Sequence, residues 1–184
     1  IEVLSRPKTN KRIVLMGNSI TEGWINFYPE YFKNKDLINR GISGQTTPQM
    51  LIRFKPDVID LNPDIIVILA GINDIAENTG PSSIKMITDN ITSMAKLAKS
   101  HNINVILSSI LPAYDFPWRP KINPHYKILK INETLQEYAI KNGHVYLDYF
   151  SNLHDGNNGL IKKYGIDPVH PNKDGYIVLS LIHI

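Results

Sequence analysis

The 184-residue chain contains no cysteine, which excludes disulfides, thiol nucleophiles and thiolate metal sites together. Long apolar runs are missing as well. The most apolar stretches, Ile65 to Ala70 and Tyr176 to Leu179, fall far short of the roughly 20 residues that a membrane-crossing helix needs. Nor are there blocks of one charge. Twenty Lys and Arg stand against 17 Asp and Glu, a net charge of +3, and the basic residues are scattered apart from pairs such as Lys162 and Lys163. Without a clustered basic patch there is no footprint for nucleic acid. Repeats, low-complexity tracts and linkers are equally lacking, so residues 1–184 read as one domain. A chain of this length, 42% hydrophobic and 20% charged, can bury enough core to fold without cross-links. It begins at Ile1 rather than Met. If a leader preceded it, a periplasmic or secreted protein is expected; otherwise the cytoplasm stays open.

What is present is a regular alternation of strand and helix. Arg12 to Met16, a β-branched apolar run closed by Gly17, reads as a buried strand and a tight turn. Thr21 to Lys33 is expected to be helical. Leu37 to Asn39 is a weaker strand, and Pro48 to Leu61 a helix that must bend or break around Pro56. Asp64 to Ala70 is nearly continuous Ile, Val and Leu, as a strand covered on both faces requires. Ser82 or Ser83 can cap a helix to about His101, with Ile84, Ile87, Ile91, Met94 and Leu97 at helical spacing. A strand over Asn104 to Ser108, a helix over Asn123 to Lys141 stopped by Asn142-Gly143, and a strand over Val145 to Asp148 follow. A turn-rich segment from Asn152 to Asn172 then leads to a final helix. The pattern predicts a three-layer α/β/α domain around a parallel sheet. Ligands of such sheets bind beyond the carboxyl ends of the strands.

Those ends carry an unusual set of residues. After the first strand comes Gly17-Asn18-Ser19-Ile20-Thr21. A serine on a glycine-led turn that opens a helix presents its hydroxyl at the sheet edge, with its own N–H free. Ser19 or Thr21 could equally be a plain N-cap. The turn is not G-x-S-x-G, so it is no α/β-hydrolase nucleophile elbow. Gly41-Ile42-Ser43-Gly44 follows the second strand, where Gly44 would let the backbone approach a substrate and donate an N–H. Gly71-Ile72-Asn73-Asp74 follows the third, and the Asn73 amide could be a further donor; both segments are also ordinary turns. Asp167 and His170 stand three apart, each before a proline, so the carboxylate can accept from the imidazole Nδ1–H and set its tautomer. No group of His and carboxylates stands at metal-ligand spacing, so no metal is expected. Together these segments supply every role that acyl transfer needs.

The four blocks, G-N-S-I-T, N-R-G-I-S-G-Q-T-T, G-I-N-D and D-P-V-H-P-N, resemble in order those of the SGNH/GDSL hydrolase family, across Ile13 to Tyr176. The resemblance implies Ser19 as nucleophile and His170 as general base oriented by Asp167. It also implies an oxyanion hole from the Ser19 N–H, the Gly44 N–H and the Asn73 side chain. The implied fold is flavodoxin-like, five parallel strands in the order 2-1-3-4-5, with neither metal nor cofactor. Asn18 stands where the family usually has Asp, and Gln45 where acidic residues are common. Asn18 keeps an acceptor but loses a charge, so activity is expected to persist.

Stretches around Trp24, Asn73 to Pro81 and Leu111 to Pro120 are similar to bacterial carbohydrate esterases and to relatives of platelet-activating-factor acetylhydrolase. Tyr114, Phe116 and Trp118 could form a stacking wall for a sugar ring, or an apolar plug. Trp24 could bound the acyl pocket or pack against the sheet. The expected reaction is removal of a short acyl group, acetyl foremost, from a small-molecule or oligosaccharide ester. Two alternatives stand beside it. One is a lysophospholipase or thioesterase using an open apolar groove near Trp24 and Phe54, the other a carbohydrate-binding protein of little turnover.

Overall fold

The computed structural model describes residues 11–183. Five parallel strands form one sheet in the order β2-β1-β3-β4-β5: Ile13–Gly17 (β1), Leu37–Gly41 (β2), Ile65–Leu69 (β3), Asn104–Ser108 (β4) and Val145–Leu147 (β5). This is the order the resemblance implies. β1 and β3 are the most apolar strands and sit side by side, β3 at the centre. Val14, Met16, Ile66 and Ile68 are buried on them, because a strand with helices over both faces leaves none of its side chains in water.

Among the described residues, besides three short 3-10 turns, eight α-helices accompany the sheet: Ser19–Phe27 (α1), Thr47–Ile52 (α2), Phe54–Asp57 (α3), Ile72–Ile75 (α4), Ile84–Ser100 (α5), His125–Asn142 (α6), Tyr149–Leu153 (α7) and Lys173–Leu181 (α8). They pack as two sets. α5 lies against α2 and α6, while α8 lies against α1 and α7. Two sets of helices with the sheet between them make the expected three layers.

Three of the boundaries that differ from the expectation have a local reason. The first helix stops at Phe27, because Tyr28 precedes Pro29 and its backbone turns to φ −142°, ψ 64°; a 3-10 turn, Pro29–Phe32, follows. The helix expected over Pro48 to Leu61 breaks at Arg53, not at Pro56. Pro56 sits in the first turn of α3, where its missing N–H has no helical partner to lose. α6 starts at His125 because the Asn123 side chain accepts from the His125 N–H (3.1 Å) in a turn of its own.

The register places the site. Gly17 on β1 is level with Gly41 on β2 and Leu69 on β3. The three segments that follow therefore leave the sheet from one edge. α1 begins directly over β2. A Cβ on Gly41 would stand 2.0 Å from the Glu22 nitrogen, so only glycine admits the helix backbone there. Asn39 completes the joint, donating to the Thr21 carbonyl (2.6 Å) and accepting from the Gly41 N–H (2.8 Å).

Candidate active site

Ser19 is the first residue of α1, partly exposed, and the helix is capped by the residue before it. Asn18 Oδ1 accepts from the Ile20 N–H at 3.2 Å, so the cap is Asn18 and neither Ser19 nor Thr21. The Ser19 hydroxyl is thereby left for other work. It lies 2.9 Å from His170 Nε2. His170 Nδ1 is 2.8 Å from Asp167 Oδ2. The other carboxylate oxygen, Oδ1, accepts from the backbone N–H groups of Val169 and His170, both at 2.7 Å. Burial alone would push the Asp167 carboxyl up, but these two N–H donors and the His170 imidazole outweigh it and hold the group below the ordinary carboxylate value. Asp167 is thus ionised at neutral pH and fixes His170 with Nδ1 protonated and Nε2 free to accept.

The donors expected to form the oxyanion hole arrive on neighbouring loops. Gly44 is exposed at φ +75°, a conformation that only glycine adopts without strain. Among the described residues neither its N–H nor that of Ser19 has a hydrogen-bond partner. Asn73 is buried on α4, and its amide donates one hydrogen to the Gln45 carbonyl (2.9 Å), which leaves the other.

Sequence reading missed what holds these loops. Asp74, taken only as half of an Asn-Asp turn, is buried and accepts from the Thr47 N–H (2.9 Å) and the Thr47 hydroxyl (2.6 Å). Burial pushes its carboxyl up while the Thr47 donors pull it down, and burial prevails. Asn78 adds a clasp to the Gly44 carbonyl (3.2 Å). Arg53 ties the strand ends together. It donates to the carbonyls of Gly17 (2.9 Å) and Arg40 (3.0 Å), to Gln45 Oε1 (2.5 Å) and to Asp57 (2.7 Å). Its i,i+4 spacing to Asp57 was the only trace in the sequence, and that is common on any helix surface.

The aromatic expectations divide. Phe116 is fully buried and offers no ring to a ligand; it is the apolar plug, with Trp118 lying against it at 5.3 Å between centroids. Trp24 is only 2% exposed and packs between Tyr31 and Tyr176, so it bounds no acyl pocket. Phe54 is fully buried too, so the open groove for long acyl chains does not exist at these residues. Trp118, 45% exposed, faces the His170 ring at 6.2 Å and walls a cavity of about 340 Å³ with Glu77, Arg119 and Lys121. Tyr114, 65% exposed, lines a separate groove. Among the described residues no group of three or more His, Asp and Glu is placed to hold a metal, and no helix is long and apolar enough to cross a membrane.

Comparison with known proteins agrees with this fold. The model of the GDSL-like Lipase/Acylhydrolase family matches residues 15–178. A crystal structure of a GDSL-like lipase from Bacteroides thetaiotaomicron superposes with a TM-score of 0.94 and 43% identity, over 99% of this chain and 91% of that one. An arylesterase of Vibrio mimicus is 29% identical over 56% of this chain and 56% of its own length. A Bacillus subtilis protein described as the uncharacterized lipoprotein YqeF is 30% identical over 54% of this chain and 48% of its own. The chain thus spans about half the length of the curated relatives it matches.

Proposed function

Because the chain belongs to the GDSL-like lipase/acylhydrolase family, we propose that it is a serine esterase that removes short acyl groups, acetyl above all, from hydroxyls of a carbohydrate. The observation that carries this reading is the unbroken line from Asp167 through His170 to the Ser19 hydroxyl, with contacts of 2.8 and 2.9 Å.

The chemistry follows from that line. As Ser19 Oγ attacks the ester carbonyl, its proton passes to His170 Nε2. The imidazolium that forms is stabilised by the ionised Asp167 on its far side. Negative charge gathers on the former carbonyl oxygen, where the N–H groups of Ser19 and Gly44 and the free Asn73 hydrogen receive it. His170 returns the proton to the departing alcohol, leaving an acyl-serine. Water then attacks the acyl carbon, giving its proton to His170, and the Ser19 oxygen recovers a proton as the acid is released.

One finding supports a short acyl group. The residues that would have lined a groove for long chains, Trp24 and Phe54, are in the core. The alcohol side is more open. The exposed face of Trp118 beside His170 suits the apolar face of a sugar ring, and Glu77, Arg119 and Lys121 around the same cavity suit its hydroxyls. The description of one relative as a lipoprotein supports a site of action outside the cytoplasm.

The test is initial rates on p-nitrophenyl esters from acetate to decanoate, with Ser19→Ala in parallel. The expected outcome is a steep fall beyond the shortest acyls and a loss of on the order of a thousandfold or more in the variant. Equal rates for the Ser19→Ala and unaltered proteins would overturn the mechanism. A preference for long acyls would move the substrate to lipids or thioesters.

A further inference from the structure

A second recess lies on the far side of the catalytic pair. It is a groove of about 390 Å³ with Asp167 in its wall, so it begins one side chain beyond the His170–Ser19 contact. One side is the exposed ring of Tyr114, on the same β4–α6 connection that carries Trp118. The other is the turn from Asp155 to Gly159, and this turn is built rigidly. Asp155 Oδ1 accepts from the N–H groups of Asn157 (2.7 Å) and Gly159 (2.9 Å), and the Asp155 N–H donates to the Gly159 carbonyl (2.9 Å). His154 Nε2 accepts from the Asn158 N–H (3.1 Å) while its ring stacks on Phe150 at 4.8 Å.

All that fixed structure leaves three groups facing the groove unspent. Asp155 Oδ2 has no hydrogen-bond partner among the described residues, and neither does the Lys162 ammonium. The Tyr114 face is bare. Gly159 keeps the space between them clear: a Cβ there would stand 2.9 Å from Asp155 Oδ2 and 3.4 Å from the Tyr114 Cβ. The N–H groups of Gly159 and Asn157 hold the Asp155 carboxyl below its ordinary value, so its free oxygen is an acceptor at neutral pH.

We propose that this groove is a second sugar subsite, binding the neutral pyranose unit next to the one whose ester is cleaved. It rests on the carbohydrate esterase reading above and adds that the substrate is an oligosaccharide. An exposed tyrosine ring takes the apolar face of a pyranose, and a fixed carboxylate oxygen beside an ammonium takes its hydroxyls as donor and acceptor. Charge selects the kind of sugar. Asp155 and Asp167 against Lys162 make the lining net negative, which repels uronates and phosphates and leaves neutral units favoured.

The experiment compares kcat/KM for fully acetylated xylose and fully acetylated xylotriose, in the unaltered protein and in Asp155→Asn and Lys162→Ala. The trimer is expected to be preferred by about tenfold, and each variant to reduce that preference to within about threefold, chiefly through KM. Equal kcat/KM for the two sugars in the unaltered protein overturns the subsite. So do variants that leave the preference intact, and so does a stronger preference for acetylated galacturonate trimers. Failure of the esterase reading looks different, as p-nitrophenyl acetate hydrolysis that does not depend on Ser19. In that event calorimetric titration of unacetylated xylotriose into Ser19→Ala protein decides the groove by itself: heat that disappears in Asp155→Asn upholds it, and no heat overturns it.

Discussion

Asp74 and Asn73 are neighbours in sequence and both buried, and their hydrogen-bond partners set them apart. Asn73 keeps one amide hydrogen unspent, whereas both Asp74 oxygens are turned to Thr47. Thr47 in turn accepts from Asn90 of α5 (3.0 Å), so one carboxylate joins the loops after β2 and β3 to the helix behind them. Replacing Asp74 with Ala leaves the Thr47 N–H and hydroxyl buried without their acceptor. A loss of about 2–3 kcal/mol is expected, since a stranded buried donor costs its full desolvation; urea unfolding of the variant measures it. Ester hydrolysis should fall as well, because the Gly44 and Asn73 donors ride on the two loops that Asp74 joins.

At the scale of elements, the crossing of α1 over β2 has the least tolerance. Gly41→Ala drives a Cβ into helix backbone that has no other path, and a cost of about 3 kcal/mol or more is expected. Gly143, the left-handed C-terminal stop of α6, provides the contrast: φ is +69° but the space around it is empty. Gly143→Ala should cost only about 1 kcal/mol, from the backbone strain alone. Thermal unfolding of the two variants separates steric collision from strain, and equal losses would contradict the crossing geometry. The strands and the longer helices were legible in the sequence because they depend on near neighbours, whereas the short helices α4 and α7 were not expected there. The Ile and Val run of β3 and the Ser83 cap of α5, whose hydroxyl accepts from Met86 N–H at 3.1 Å, are both local signals. The break at Arg53 was not. It follows from a side chain that reaches back to Gly17 and Arg40, residues distant in the chain.

At the scale of the whole molecule, an aromatic cluster gathers around His183. His183, just past α8, stands edge-on to Trp24, stacks on Tyr149 and shares a hydrogen bond with the Tyr149 hydroxyl. Burial, with the nearby Lys35 charge adding to it, pushes the His183 pKa down from 6.5 to about 4. The sign is that of a histidine buried neutral. Between these values the unfolded chain binds the proton that the folded one refuses, so the stabilisation is fully present above pH 6.5 and is lost as pH falls through about 4. The loss should be on the order of 3 kcal/mol, and His183→Phe should flatten that part of the profile. Denaturant midpoints between pH 4 and 7 check both; a profile that does not change on substitution would show that His183 titrates as if exposed.

The sequence by itself determined the alternation of strand and helix and the parallel sheet, which rest on apolar period and turn chemistry, while Ser19, Gly44, Asn73, Asp167 and His170 were singled out by short local blocks and their resemblance to the SGNH/GDSL family. Tertiary structure alone decided which aromatic residues stay exposed. Trp24 and Phe116 went into the core while Tyr114 and Trp118 stayed out, and nothing within a few residues of each distinguishes them. It also decided the supports of the site, Arg53, Asp74 and the Asp155 turn. Their partners lie on other elements, and a hydrogen bond between side chain and distant backbone leaves no periodicity in the chain that makes it.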